Sequence, residues 1–183
     1  MKRFIVAILI LLTIGSCYSP HPNALFLSKI NNIEVLFFPN GGIKDRIIDA
    51  INQSETAISI TMFTFTDDEV DNEIADALIT RTKKTGVKIR LIVDTTQAGK
   101  FKIDEYLEKN GIDVKRRTGI RKDNGRGIMH HKFIIFDDTL LMTGSYNLTA
   151  NAEKYSYENA IFISDESIIK KYQEEFEELW REK

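Results

Sequence analysis

The run His130-His131-Lys132-Phe133-Ile134-Ile135-Phe136-Asp137 is followed by Gly144-Ser145-Tyr146-Asn147. Its apolar middle predicts a strand from Met129 to Phe136. Asp137-Asp138-Thr139 then predicts a turn, and Leu140 to Thr143 a second strand that delivers the small-residue loop Gly144 to Asn147. Side chains alternate between faces along a strand, so His130 and Lys132 project together while His131 points the other way. One face therefore carries an imidazole and an ammonium beside hydroxyl and amide donors. That is chemistry for a phosphate: a nitrogen nucleophile, a fixed cation and neutral hydrogen-bond donors. Taken singly, each residue has an ordinary reading, since a lone His or Lys at a strand end is solvated and Gly-Ser makes a turn. The joint spacing is what points to a site.

The pattern H-x-K-x(4)-D-x(6)-G-S-x-N runs without a gap from His130 to Asn147. It resembles the signature of the phospholipase D superfamily. Phe37-Phe38-Pro39-Asn40-Gly41-Gly42 and Glu158-Asn159 are also similar to that family's small, single-motif members. The resemblance implies a phospholipase D-like α/β fold over about residues 33 to 182. It also implies phosphodiester hydrolysis in which His130 forms a covalent phosphohistidine. Lys132 and Asn147 would then stabilise the phosphoryl charge. Glu158 would accept the Nδ1 proton of His130, unless it is simply a surface acid at a strand end. Asp137 belongs to the signature but has the opposite strand parity to His130, so it is expected to orient or stabilise rather than touch phosphate. Ser145 either donates to phosphate or holds the turn, and His131 is expected to pack or face solvent.

Such a reaction needs a nucleophile, a proton for the leaving oxygen and cationic donors for the phosphoryl oxygens. The sequence holds no Cys/His cluster suited to a metal cage, and Asp67-Asp68 reads as a helix N-terminus, so no metal or cofactor is expected. The leaving group needs an acid opposite the nucleophile. Besides His130 only His21 and His131 remain, one in a linker and one on the other strand face. Two copies of the motif are therefore needed where the chain has one. A C2 homodimer, with His130 of each protomer flanking one phosphate, supplies them.

The formal net charge is −2, yet Lys115, Arg116, Arg117, Arg121, Lys122 and Arg126 crowd the stretch just before the motif, opposed only by Asp123. An acidic chain that gathers cations beside its candidate catalytic strand builds a local attractor for phosphate. Arg117, Arg121, Lys122 and Arg126 are accordingly candidate substrate-binding residues. Nucleic acid, DNA or RNA, would use them through its backbone, without aromatic interleaving to read sequence. The expected function is a non-specific endonuclease. An anionic phospholipid would suit the same charges, so a phospholipase D or cardiolipin-type lipid hydrolase is the alternative. Behind them stand a non-catalytic nucleic-acid-binding module and a solvated loop of no function.

The supporting elements read clearly. Ile33 to Phe38 is a strand, and Ile43, Ile47, Ala50 and Ile51 line one face of a helix. Ala57 to Phe65 alternates as a strand. Thr66-Asp67-Asp68-Glu69 opens a second helix with a capping box, and Gly86 closes it. Val87 to Val93 and Ile112 to Val114 read as strands, with a short helix at Ile103 to Asn110 between them. Glu158 to Ile163 is a strand, and Asp165 to Glu182 is a helix buried through Ile168, Ile169, Tyr172, Phe176, Leu179 and Trp180. The class is α/β: a mixed, largely parallel sheet with helices on both faces.

Residues 1 to 17 stand apart. Lys2-Arg3, the apolar run Phe4 to Leu12 and Ile14-Gly15-Ser16-Cys17 fit a signal peptide too short to span a bilayer as a helix. The last four residues resemble the bacterial lipobox, which implies a lipidated Cys17 as a membrane anchor. Plain cleavage or an uncleaved anchor is the alternative. Residues 18 to 32 read as a tether, 33 to 183 as the catalytic domain, and the whole as an exported protein of the bacterial cell envelope.

Overall fold

The computed structural model describes residues 32–39, 41–66, 71–122 and 125–182. Its strands are β1 (Ile33–Phe38), β2 (Ala57–Met62), β3 (Lys88–Asp94), β4 (Asp113–Lys122), β5 (Gly125–Ile128), β6 (Lys132–Phe136), β7 (Leu140–Gly144) and β8 (Glu158–Ile163). The helices are α1 (Ile43–Gln53), α2 (Asp71–Thr85), α3 (Thr95–Phe101), α4 (Ile103–Lys109), α5 (Ala150–Lys154) and α6 (Glu166–Arg181). The expected signal segment, Cys17 and tether lie outside the described residues, as do the capping-box positions 67–69. Among the described residues, no helix is long and apolar enough to cross a membrane.

A strand covered on both faces has no reason to alternate, and every residue of β6 is buried. One face of the sheet, through Ile60, Ile134 and Met142, packs on α1 and α2 at Ile47, Ile74 and Leu78. The other, through Ile92, Phe133 and Ile135, packs on α6 at Ile169 and Phe176. Helices thus cover both faces, as the α/β reading required. The faces that α1 and α6 bury are those their apolar spacing marks out.

The pairing is a correction. The eight strands run in the order β1-β8-β7-β6-β2-β3-β4-β5, and only β2-β3 and β3-β4 are parallel. The other neighbours are antiparallel. Parallel neighbours need a crossover of a dozen or more residues, which α2 and the α3–α4 pair supply. The second half of the chain has no such crossover. A tight turn joins β6 to β7, with positive φ at Asp137 (50°) and Asp138 (57°) and Thr139 N–H donating to Phe136 O at 3.0 Å. Since Phe136 pairs with Leu140, the connection has three residues closed by this tight turn.

Other elements lie beyond the expected set. Helix α3 starts on Thr-Thr-Gln, which has no apolar period, and β4 runs on past Val114 to pair with β5 as a hairpin. Backbones approach closely there: a Cβ on Gly119 would sit 2.6 Å from Ile128 O, so the hairpin uses glycine for contact rather than for a turn.

Candidate active site

The site forms where β6 begins. Register places Lys132 beside Met62 at the end of β2, and Phe133 beside Thr143 near the end of β7. Glu158, which opens β8, lies close to Gly144 across the β7–β8 pairing. Asp94 ends β3 alongside. The residues just before Lys132, 129 to 131, belong to no strand, so His130 sits on irregular backbone and reaches the surface.

His130 and Lys132 are brought together, but not by strand parity, because the strand expected from Met129 begins only at Lys132. Lys132 Nζ lies 3.3 Å from His130 Nε2 and donates to His130 O at 3.0 Å. The Phe63 ring meets the imidazole edge-on, with centroids 4.6 Å apart, and Lys132 Nζ lies 5.2 Å from the same ring's centroid. The ammonium is thereby held over an aromatic face, where the ring quadrupole attracts it. His130 is exposed, whereas Lys132 keeps only 8% of its surface. Burial pushes the Lys132 pKa down, opposed by the nearby Glu158 carboxylate. Burial and then the Lys132 charge push the His130 pKa down, with Asp94 pulling the other way and His131 adding a smaller depression. The balance favours a neutral imidazole, the form that can attack.

The Gly144–Asn147 loop lies alongside. A Cβ on Gly144 would fall 2.2 Å from Asn159 O, so only glycine lets β7 run this close to β8. Ser145 N–H donates to Asn159 O at 3.1 Å, and Asn159 N–H to Ser145 Oγ at 3.1 Å. The Ser145 hydroxyl donates to Glu158 Oε2. Glu158 thus reaches the site through Ser145 and through its charge on Lys132, rather than through a direct bond to His130. Asn147 Oδ1 accepts from Thr64 N–H at 3.3 Å, which leaves its Nδ2 hydrogens free to donate elsewhere.

Asp137 stands at the opposite end of β6, roughly 16 Å along the strand from Lys132. Its carboxylate accepts Glu55 N–H at 2.6 Å, Thr56 N–H and Thr56 Oγ1 at 2.8 Å, and Ala57 N–H at 3.0 Å. Burial raises its pKa, but the backbone donors of Ala57, Thr56 and Glu55 together outweigh it and hold the group below the usual carboxylate value. Its structural task is to clamp the start of β2 to the end of β6, which fixes the register that carries Lys132.

The basic stretch divides. Lys115 donates to Trp180 O and lies 4.8 Å from the Trp180 ring centroid. Arg116 pairs with Asp104 and Glu108 at 2.5 and 2.8 Å. Arg117 donates to Leu179 O at 2.7 Å, Trp180 O at 3.3 Å and Glu182 O at 2.5 Å. These three cations engage α6 and α4, so Arg117 meets the carbonyl end of α6 instead of an open cleft. Arg121 and Arg126 face each other across the β4–β5 hairpin, and Lys122 pairs with Gly125. The side chains of Arg121, Lys122 and Arg126 lie outside the described residues.

Several site residues were not singled out from the sequence. A cavity of about 370 Å³ runs from His130, Lys132 and Gly144 to Lys171, Tyr172 and Glu175 of α6. His131 Nε2 lies 3.1 Å from Glu175 Oε1 on that side, so it pairs with α6 as well as facing solvent. Phe63 packs on the His130 ring, Thr64 holds Asn147, and Asp94 accepts Met129 N–H behind the site. Of these, only Asp94 left a sequence signal, an acid directly before Thr-Thr at a strand-to-helix junction.

The family model described as "Cardiolipin synthase, PLD-like domain" matches residues 47–180. The mitochondrial cardiolipin hydrolase of Chlamydomonas reinhardtii is 30% identical over 188 residues, covering 88% of this chain and 79% of that protein. The phospholipase D of Rickettsia prowazekii (strain Madrid E) is 31% identical over 143 residues, covering 78% of this chain and 64% of that one. The chain spans 60% of the length of the similar cardiolipin hydrolase of Xenopus tropicalis. Among solved structures, Nuc from Salmonella typhimurium, a phospholipase D family member, aligns with a TM-score of 0.67 and 28% identity, covering 81% of this chain and 93% of its own. NucT from Helicobacter pylori shares the fold at a TM-score of 0.73 and 24% identity, covering 81% and 94%. The matched relatives include hydrolases of phospholipids, and the chain belongs to the phospholipase D superfamily.

Proposed function

We propose that this chain is a phosphodiesterase that cuts the backbone of DNA or RNA without sequence preference, at a single cleft shared by two copies of the chain. The observation that carries the reading is the convergence of His130 Nε2, Lys132 Nζ and the Ser145–Asn147 loop at the start of β6. His130 of one copy, its neutral form favoured by partial desolvation and by the Lys132 charge, attacks phosphorus and forms an N–P bond as the P–O bond to the leaving alcohol breaks. His130 of the second copy, which enters the step as the imidazolium, gives that oxygen its proton and becomes neutral. It then takes a proton from the water that attacks phosphorus, which releases the phosphomonoester and restores both rings to their starting forms. Lys132 and the Asn147 amide stabilise the phosphoryl oxygens throughout, so the chain's own side chains supply the charge compensation.

Nucleic acid is favoured by the Lys132 and Lys171 cations in the cleft, which suit a phosphate backbone and stand beside apolar surface from Phe133 and Tyr172. An acyl chain needs a contiguous apolar groove instead. A second reading, hydrolysis of an anionic phospholipid of the cardiolipin type, draws on the similar cardiolipin hydrolases. It also draws on Tyr155 and Tyr157, 79% and 92% exposed on the approach to Glu158. Export and lipidation at Cys17 would place either activity at the cell envelope.

The test incubates residues 18 to 183, beside His130→Ala, in excess EDTA with plasmid, single-stranded DNA, RNA and cardiolipin liposomes. Cleavage of nucleic acid by wild type alone supports the proposal. Lipid hydrolysis with nucleic acid untouched moves the assignment to the second reading, and activity abolished by EDTA sinks the phosphohistidine route.

A further inference from the structure

Asp94 is completely buried at the carboxyl end of β3, with 0% of its surface exposed. Oδ1 caps α3, accepting Thr96 N–H at 2.9 Å and the Thr96 hydroxyl. Oδ2 reaches across to accept Met129 N–H at 2.9 Å. Helix capping accounts for the first oxygen alone. The second serves the residue immediately before His130, on backbone that belongs to no strand. A buried N–H there would otherwise lack a ladder partner, so this bond fixes where the chain turns into His130. Lys132 holds the His130 carbonyl at 3.0 Å. The backbone of His130 is thus set from both sides.

A neutral acceptor would satisfy Met129 equally well, and a carboxylate without a cation is the more costly group to bury. What the carboxylate adds is charge. The charged or titratable groups acting on His130 are Lys132, Asp94 and His131, while Glu158 acts on Lys132. Among them Asp94 is the one that favours the imidazolium.

We propose that Asp94 is a positioning residue for the reaction: it fixes His130 through Met129 N–H and supplies the negative charge that stabilises the ring when it becomes positive. The ring becomes positive both when Nε2 bonds phosphorus and when it carries the leaving group's proton. This inference rests on His130 being the reacting base.

The test compares wild type, Asp94→Asn and Asp94→Glu as full chains. Imidazole signals followed by NMR against pH are assigned by the signal lost in His130→Gln and in His131→Gln. In Asp94→Asn the His130 titration moves to lower pH while that of His131 stays. With bis(p-nitrophenyl) phosphate, kcat falls by about 10²-fold, KM stays close to wild type, and both limbs of the pH profile move to lower pH. Asp94→Glu, which keeps the charge, restores the position of the profile. An unmoved His130 titration in a folded Asp94→Asn chain, or an effect on KM alone, overturns the proposal. Asp94→Ser serves as the neutral variant if Asp94→Asn does not fold, and if neither folds the residue is structural and the proposal falls. Should wild type hydrolyse no phosphodiester, the reading of His130 fails, while the titration still decides whether Asp94 acts on it.

Discussion

Lys132 Nζ lies within 3.3 Å of His130 Nε2 while also donating to the His130 carbonyl at 3.0 Å. One side chain therefore both locates the imidazole and sets its charge. Both tasks fall to the one ammonium, Nζ, so they are lost together when it is removed.

Replacing Lys132 with Met keeps the length of the side chain and removes the cation. His130 loses a charge that lowers its pKa, so its titration moves to higher pH, opposite in sign to the shift expected for Asp94→Asn. Hydrolysis of a phosphodiester falls by about 10²–10³-fold, as when a single transition-state donor is lost. NMR titration of the ring and initial rates check the two parts independently. An unmoved titration would show that the ammonium and the imidazole do not interact in solution.

Asp137 carries a different expectation, because it is far from the chemistry. Asp137→Ala leaves the Glu55, Thr56 and Ala57 N–H groups without their carboxylate, at a cost of about 3 kcal/mol. That corresponds to a Tm lower by roughly 6–12 °C for a domain of this size. Its folded pKa lies below the ordinary 3.8, so its contribution is complete above that pH and fades as pH falls through the depressed folded value. Wild type and variant should therefore converge in stability only in acid below pH 3.8, as thermal melts across that range would show. A gap that persists unchanged into strong acid would count against the carboxylate clamp.

The His-x-Lys spacing, the turn at Asp137-Asp138 and the apolar faces of α1 and α6 were legible because each depends on a short-range period. His130 and Lys132 do meet, although His130 precedes β6, and Asp137 stays away from them because it follows the far end of the same strand. What stayed hidden depends on contacts between distant segments. Asp94 meets Met129 across a sheet whose strand order no local period reveals. Thr64 meets Asn147 through a loop packing in which Thr66 N–H donates to Leu148 O at 3.0 Å. The basic stretch misled in part for the same reason: charge density along the chain says nothing of the α6 carbonyls that wait for Arg117.

Arg117→Ala tests that division. Its guanidinium meets three carbonyls at the end of α6, where a cation also complements the helix dipole. Its loss should cost about 2 kcal/mol and leave KM for a nucleic-acid substrate close to wild type. Calorimetry and steady-state kinetics decide it. A raised KM with unchanged Tm would return Arg117 to the substrate-binding set.

Asn147→Asp keeps an oxygen to accept Thr64 N–H and exchanges the two amide hydrogens for negative charge. Stability should change little, while activity falls by about 10²-fold or more because a carboxylate repels the phosphate it faces. A folded variant with undiminished kcat would remove Asn147 from the site.

The shared cleft makes the strictest prediction, since it concerns stoichiometry rather than any one contact. With His130 as the proposed nucleophile, the other described histidine, His131, is turned to Glu175 at 3.1 Å, which leaves the acid to a second copy. If two copies of His130 flank one phosphate, a pair containing one His130→Asn chain lacks either its nucleophile or its acid, whichever role the substitution removes. Wild type and His130→Asn chains mixed in denaturant and refolded together would pair at random. Activity should then follow the square of the wild-type fraction, about a quarter at equal mixing, where independent chains would keep about a half. A linear dependence, with sedimentation showing dimers, would mean that each chain completes the reaction alone and that a residue other than the second His130 protonates the leaving oxygen. A linear dependence with monomers would remove the shared cleft altogether. Only the quadratic result places both imidazoles on one phosphate.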